Sequence, residues 1–367
     1  MSITAEQARA ALSEIVDPDL GANLIALGAV KELEISGGHV AAVIELGTHT
    51  SPLKEHVAAR ARAALSALPG VEAVDISVTV RVRSATAPER GGPPLPGVKN
   101  VIAVGAGKGG VGKTTVSVNL ALALTTAGAR VGLLDGDIYG PNVPLMLGLQ
   151  SQLSTDGKLI RPAEKFGLQV VSLAFMTDAD QAVIWRGPLV HGAIQQFVRD
   201  VGWRDLDYLI IDMPPGTGDV ALSLSQTVPV AGAVVVTTPQ QVSLADSRRA
   251  VRMYEKLNIP TLGIVENLSF YSCPNCHHES ELFGFGGGEQ IAASMNIAFL
   301  GRLPVYSAIS RGSDRGIPIV IAEPDSAASR GFAMIAQRVS TQVAVNAHRS
   351  AIANKGKIPL IPVKSSR

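Results

Sequence analysis

The chain has 367 residues, of which 46% are hydrophobic and only 4% aromatic, and its 32 Lys and Arg against 31 Asp and Glu leave a net charge of +1. That length can bury a large core and suggests two or three domains, while the near-neutral charge gives no global field for nucleic acid or anionic lipid. No uninterrupted apolar run approaches the about 18 residues of a membrane span, and the N-terminal ten residues lack a basic stretch followed by an apolar one. A cytoplasmic protein with neither a nucleic-acid nor a membrane partner is expected.

Residues 1–83 read as a small α+β unit. Ala5–Leu12 has helical spacing, Val30–Ile35 and Val40–Leu46 alternate like strands across the Gly37-Gly38 turn, Pro52–Leu68 is helix-like, and Val74–Val82 alternates again. Two stretches stand out, the Val16-Asp17-Pro18-Asp19-Leu20 turn and the loop Thr48-His49-Thr50-Ser51-Pro52-Leu53. From residue types alone, Asp17-Pro18 caps a turn and Ser51-Pro52 starts a helix. Residues 84–99, crowded with proline and glycine, form a linker.

From 100 to 346 strand-like and helix-like runs alternate. The strands are Val101–Val104, Val131–Leu134, Leu168–Leu173, Tyr208–Ile211, Ala233–Thr237, Leu262–Val265 and Phe299–Leu303, and helical segments include Ser247–Leu257 and Gly331–Val345. Several strands are apolar on both faces, as a parallel sheet covered by helices requires, so the fold class is a doubly wound, mostly parallel α/β sheet preceded by the small α+β domain; its P-loop NTPase type is implied not by the strands but by the glycine motif that follows the first of them. Ligands of such a sheet sit at the carboxyl ends of its strands. No function is assigned to the basic, proline-punctuated tail 347–367.

The first strand of this sheet runs into a glycine cluster and then a helix: Val101-Ile-Ala-Val-Gly-Ala-Gly-Lys-Gly-Gly-Val-Gly-Lys-Thr-Thr115. Gly107, four residues, Gly112, Lys113 and Thr114 have the spacing that lets backbone N–H groups at a helix N-terminus surround a polyphosphate. Lys113 would reach the β- and γ-phosphates and the Thr114 hydroxyl would join a Mg²⁺ shell. The same glycines also satisfy a dinucleotide fingerprint through Gly105-x-Gly107-x-x-Gly110, with Asp135 at the end of the next strand. Two features decide for the phosphate loop. Gly-Lys-Thr is superfluous in a dinucleotide fold, and the later Asp212-Met-Pro-Pro-Gly216 supplies what a nucleoside triphosphatase needs.

Asp135 and Asp137 lie two apart where the second strand ends. In a Mg²⁺–nucleotide site one carboxylate orders metal-bound water, assigned to Asp135, and the other positions the attacking water, assigned to Asp137. Asp212 leaves a buried apolar strand, where an unpaired carboxylate is costly and Mg²⁺ through water is a natural partner. Pro214, Pro215 and Gly216 stiffen a loop that can sense a γ-phosphate.

The loop Gly107, Lys108, Gly109, Gly110, Val111, Gly112, Lys113, Thr114 and Thr115 resembles the deviant Walker A motif of the MinD/ParA/nitrogenase-iron-protein class, with Lys108 as its signature lysine. The resemblance implies an ATP-hydrolysing homodimer that sandwiches two nucleotides, Lys108 and Lys113 acting in catalysis. The absence of a guanine-reading Asn/Thr-Lys-x-Asp sequence favours ATP, and Asn267 and the Pro239-Gln240 turn resemble adenine-side positions.

Glu266-Asn-Leu-Ser-Phe-Tyr-Ser-Cys-Pro-Asn-Cys276 and Leu282-Phe-Gly-Phe-Gly-Gly-Gly-Glu-Gln290, together with Trp185-Arg-Gly-Pro188 and Gly136–Asn142, resemble the Mrp/ApbC group of iron–sulfur cluster carriers. The first unit resembles the accessory domain of iron–sulfur assembly factors, with Ser51 where that domain usually has a cysteine, so a docking or regulatory role is expected of it. Cys273 and Cys276 are the chain's only cysteines, and in a reducing compartment such a pair points to metal or redox chemistry. An iron–sulfur cluster or tetrahedral zinc commonly takes four protein ligands, and one chain offers two thiols. Two chains about a twofold axis would supply four, and the resemblance implies a [4Fe–4S] cluster bridging the subunits. Zinc completed by His277 and His278, or a dithiol cycle, remain alternatives. The expected activity is ATP-driven transfer of a cluster from a scaffold or donor to apo-proteins, with slow, switch-like turnover and the Pro214–Gly216 loop coupling nucleotide to cluster. A MinD/ParA-like partner-positioning ATPase is the rival reading.

Overall fold

The computed structural model describes residues 3–17, 19–50, 53–85, 95–137, 140–150, 154–157, 159–176, 192, 196–197, 199–216, 218–273, 276 and 278–355. Ser51, the Trp185–Pro188 stretch, His277 and the end of the tail lie outside these residues.

The N-terminal unit opens with α1 (Ala5–Ser13), started by a reciprocal Thr4/Gln7 capping box. A hairpin of β1 (Val30–Ser36) and β2 (His39–Leu46) follows, and α2 (Leu53–Ser66) carries the chain over to β3 (Ala73–Val80), which lies parallel to β2. Val40, Ile44, Leu12, Val57, Ala61 and Leu65 close its own core.

Among the described residues the second sheet has nine strands. Its elements are β4 (Val98–Ala106), α3 (Lys113–Thr126), β5 (Val131–Asp135), β6 (Ala163–Lys165), β7 (Leu168–Ser172), β8 (Leu206–Asp212), α4 (Gly218–Thr227), β9 (Val230–Thr237), α5 (Gln241–Lys256), β10 (Thr261–Ser272), β11 (Glu279–Ser280), α6 (Gly287–Ser294), β12 (Phe299–Val305) and α7 (Ala327–Lys355). Strand order is β6-β7-β5-β8-β4-β9-β10-β11, with β12 also on β10; only β6 and β11 run antiparallel. β8 and β9 are buried along their whole length, and so is all of β4 but its first two residues, which explains why their sequences lack alternation. One apolar layer lies between the sheet and α3 and α7, the other beneath α4, α5 and α6. No helix among the described residues is long and apolar enough to cross a membrane.

Two elements differ from the expectation in a way that matters. β10 runs Thr261–Ser272 instead of ending near Val265, because its second half is built from polar and aromatic residues that pair with β12 and β11 rather than from a recognisable apolar run. The last helix extends to Lys355, and its outer turns carry the N-terminal unit. There Thr341 donates to Asp19 at 3.0 Å, the Thr50 and Ser340 hydroxyls bond, and His49 lies 3.6 Å from Asp207 at the start of β8. The Asp17–Leu20 turn and the Thr48–Thr50 loop, conspicuous in the sequence, therefore meet at one seam. Asp17 receives the N–H groups of Asp19 and Leu20, the turn cap its residue type predicts.

Candidate functional site

Three neighbouring strands, β5, β8 and β4, end on the same edge of the sheet, and their register sets Asp212 opposite both Asp135 and Val104. The loop after β4 enters α3 at Gly112, which has φ +81°, and no side chain caps the helix. A helix start with no side-chain cap, combined with the positive end of the helix dipole, is the arrangement that binds phosphate. Gly107 must be glycine for a reason outside the loop: a Cβ there would lie 2.3 Å from the backbone of Asp246 on α5. Gly112 is similarly crowded, by the side-chain amide of Asn267.

Lys113 is buried, its ammonium 2.7 Å from Asp212 and 3.6 Å from Asp137. Thr114 donates to the same Asp212 oxygen at 2.7 Å, and Ser117 donates to the other at 2.6 Å. Asp135 accepts the N–H groups of Asp137 and Val143 and the Ser172 hydroxyl, yet burial, followed by the charge of Asp212, pushes its carboxyl up to about 7. Lys113, Thr114, Asp135, Asp137 and Asp212, the residues singled out in the sequence, are thus brought together. A buried cluster of hydroxyl and carboxylate oxygens is a hard-donor set that suits Mg²⁺. Lys108 stands half-buried in the loop and makes no ion pair among the described residues.

The Pro214–Gly216 loop lies against the phosphate loop: the Gly216 N–H reaches the Ala106 carbonyl at 3.2 Å and the Met213 N–H reaches Val104 at 2.9 Å. Among the described residues no hydrogen bond joins this loop to the cysteine segment.

Asn267 donates to the Val111 carbonyl at 2.8 Å, so in this conformation its amide supports the phosphate loop. Beyond it β10 leads into a hairpin in which Tyr271 and Ser272 pair with Ser280 and Glu279, and the Cys273 N–H bonds the His278 carbonyl. Cys273 is half-buried and Cys276 exposed, and neither is in a disulfide. Among the described residues no group of three or more His, Cys, Asp or Glu side chains is placed to hold a metal.

Sequence reasoning missed Ser117, Ser172 and Glu266. Ser117 stands four residues from Lys113 on the same helix face, a signal that was available. Ser172 is carried to Asp135 only by the pairing of β7 with β5, and Glu266 accepts the Gly286 and Gly288 N–H groups from across the fold.

A family described as NUBPL iron-transfer P-loop NTPase matches residues 97–340, and one described as iron–sulfur cluster assembly protein matches residues 5–78. An iron–sulfur cluster carrier protein of Synechocystis is 44% identical over 94% of this chain and 99% of its own length. The carrier protein of Escherichia coli K12 is 40% identical over 90% of each chain. Among solved structures, a nucleotide-binding protein of Archaeoglobus fulgidus in complex with ADP is 36% identical, with a TM-score of 0.55, covering 62% of this chain and 90% of its own. The cell-division ATPase MinD of Pyrococcus furiosus is 26% identical, with a TM-score of 0.50, covering 65% and 98%.

Proposed function

The chain belongs to the NUBPL iron-transfer P-loop NTPase family, and from that membership we propose that it is an ATP-dependent iron–sulfur cluster carrier of the cytoplasm. The observation that carries this reading is β10: one strand touches the phosphate loop through Asn267 and ends one residue before Cys273, the first of the chain's only two thiols. A nucleotide switch and a soft-metal ligand pair are joined by a few residues of backbone.

In this reading Gly107–Thr115 holds the ATP phosphates, Lys113 leaving Asp212 to meet them, and Lys108 reaches the nucleotide of a second subunit. Thr114, Asp135 and Asp212 hold Mg²⁺, which when bound neutralises phosphate charge. Asp137, beside Lys113, orients the attacking water. Asn267 serves the adenine side while bracing Val111. Cys273 and Cys276 bind the cargo, a [4Fe–4S] cluster shared with the same two residues of a second copy, which is received from a scaffold and passed to apo-proteins. Hydrolysis is slow, as in switches. The division into residues 1–83, 84–99, 100–346 and 347–367 belongs to the same proposal.

Iron and acid-labile sulfide, measured per dimer on anaerobically reconstituted protein, test it. About four of each per dimer in the wild type, lost in both Cys273→Ala and Cys276→Ala, is the expected result. Zinc without iron, or full metal content in a monomer, would refute the shared cluster.

A further inference from the structure

Both ends of the cysteine-bearing segment converge on adjacent residues of β10. Upstream, Asn267 holds the Val111 carbonyl of the phosphate loop at 2.8 Å, and the strand continues directly to Cys273. Downstream, the chain returns through Gly286 and Gly288, whose N–H groups bond the carboxylate of Glu266 at 3.1 and 2.5 Å. Glu266 is fully buried and also receives the Ser269 hydroxyl at 2.5 Å.

Between these anchors the strand is irregular. Glu266 pairs with Arg302 and Phe270 with Pro304, so Asn267, Leu268 and Ser269 together face Leu303 alone. Leu268 has φ +55°, a left-handed conformation that branched aliphatic residues rarely adopt. Such a bulge re-aims the strand beyond it, and its strain persists only while neighbouring contacts enforce it. Here those contacts are the Asn267 amide on the phosphate loop and the Ser269 hydroxyl on Glu266. Past the bulge, pairing with β11 and the Cys273–His278 bond tie Tyr271–Cys273 to His278–Ser280, so relaxation of Leu268 would move these two flanks together.

We propose that Glu266–Ser269 is the hinge through which occupancy of the phosphate loop sets the exposure of Cys273 and Cys276, with Asn267 as the positioning residue. Drawing the loop's N–H groups onto a polyphosphate shifts the Val111 peptide, Asn267 follows it, and the bulge exchanges its strained form for another. This route differs from the Pro214–Gly216 loop, which among the described residues has no hydrogen bond to the hairpin. It rests on the reading that this chain couples nucleotide to a cargo held by its cysteines.

Because the chain has no other cysteine, thiol alkylation reads the hinge directly. Metal-free, reduced full-length protein is treated with a maleimide, without nucleotide and with Mg²⁺–ATP or Mg²⁺–ADP at concentrations shown by titration to saturate each variant. The wild-type rate should change by about threefold or more on nucleotide binding, and in Asn267→Ala that change should collapse to less than about 1.5-fold at saturation. Leu268→Gly, which keeps the Asn267 side chain but removes the strain, should bind nucleotide within about threefold of wild type and lose the same response. If Asn267→Ala does not fold, Leu268→Gly carries the test alone. An unresponsive wild type, or a full response in the variants, overturns the hinge. The readout needs no iron, so its failure is separate from a failure of the cluster reading, which metal content alone decides.

Discussion

β8 carries an aspartate near each end, and the two ends are built differently. At the amino end Asp207 faces the seam with the N-terminal unit: burial alone would raise its carboxyl, but His49, the Arg130 N–H and Lys99 outweigh it and hold it well below the ordinary range. At the carboxyl end Asp212 shares the candidate nucleotide site with Asp135, whose hydrogen bonds do not offset burial and the neighbouring charge, leaving it raised to about 7. One end is electrostatically complete within the protein, as a structural joint should be. The other gathers several carboxylates, of which Asp135 is left with its carboxyl raised, the pattern of a site made to exchange charge with a ligand.

The largest expected effect lies at the site end. Lys113→Ala should lower ATP turnover by at least about a hundredfold, about 3 kcal/mol of transition-state stabilisation, with little loss of folded protein by circular dichroism. Wild-type turnover in this variant would remove the site from catalysis altogether.

At the joint, Asp207→Asn should cost about 2 kcal/mol in urea unfolding at neutral pH, because it leaves Lys99 and the Arg130 N–H poorly partnered. The sign of its pH dependence follows from the lowered carboxyl: the ionised form stabilises the fold above the ordinary value of 3.8, and this is lost as pH falls below it. The variant should therefore show a shallower acid-side decline than wild type. Equal declines would mean that the seam does not hold the charge.

Asp135→Asn should act in the opposite sense. Its carboxyl is raised from 3.8 to about 7, so the folded state binds a proton that the unfolded state has released, and nucleotide-free wild type loses stability as pH climbs through that window. The substitution should raise stability by about 1 kcal/mol near pH 8 and not near pH 5, while impairing hydrolysis. Destabilisation at both pH values would erase the contrast between the two ends. The smallest effect is expected from Thr341→Ala, about 1 kcal/mol or less, since it removes one half-buried hydrogen bond to Asp19.

Much of the candidate site's local geometry was legible because it is set by short-range sequence. A strand, a glycine-rich turn and a helix in unbroken succession leave the backbone of Gly107–Thr115 few alternatives, and Lys113 and Thr114 follow from helix geometry. The acids were legible as strand ends. The cysteine pair and the two seam motifs could be seen as unusual, but their surroundings could not. Nothing in the spacing of Asp17–Leu20 and Thr48–Thr50 says that both meet the last helix, hundreds of residues away.

What only the tertiary structure decided are the contacts that depend on strand order and register. Ser172 reaches Asp135 because β7 lies beside β5, Gly107 is constrained by Asp246 because α5 crosses the phosphate loop, and Asn267 meets Val111 because a bulge turns β10 toward it. Strand register is fixed cooperatively by burial over the whole sheet, and shifting it by one residue would send strand side chains such as Ser172 to the opposite face. Short-range sequence carries the conformation of the glycine-rich loop. Long-range pairing decides which side chains stand around it.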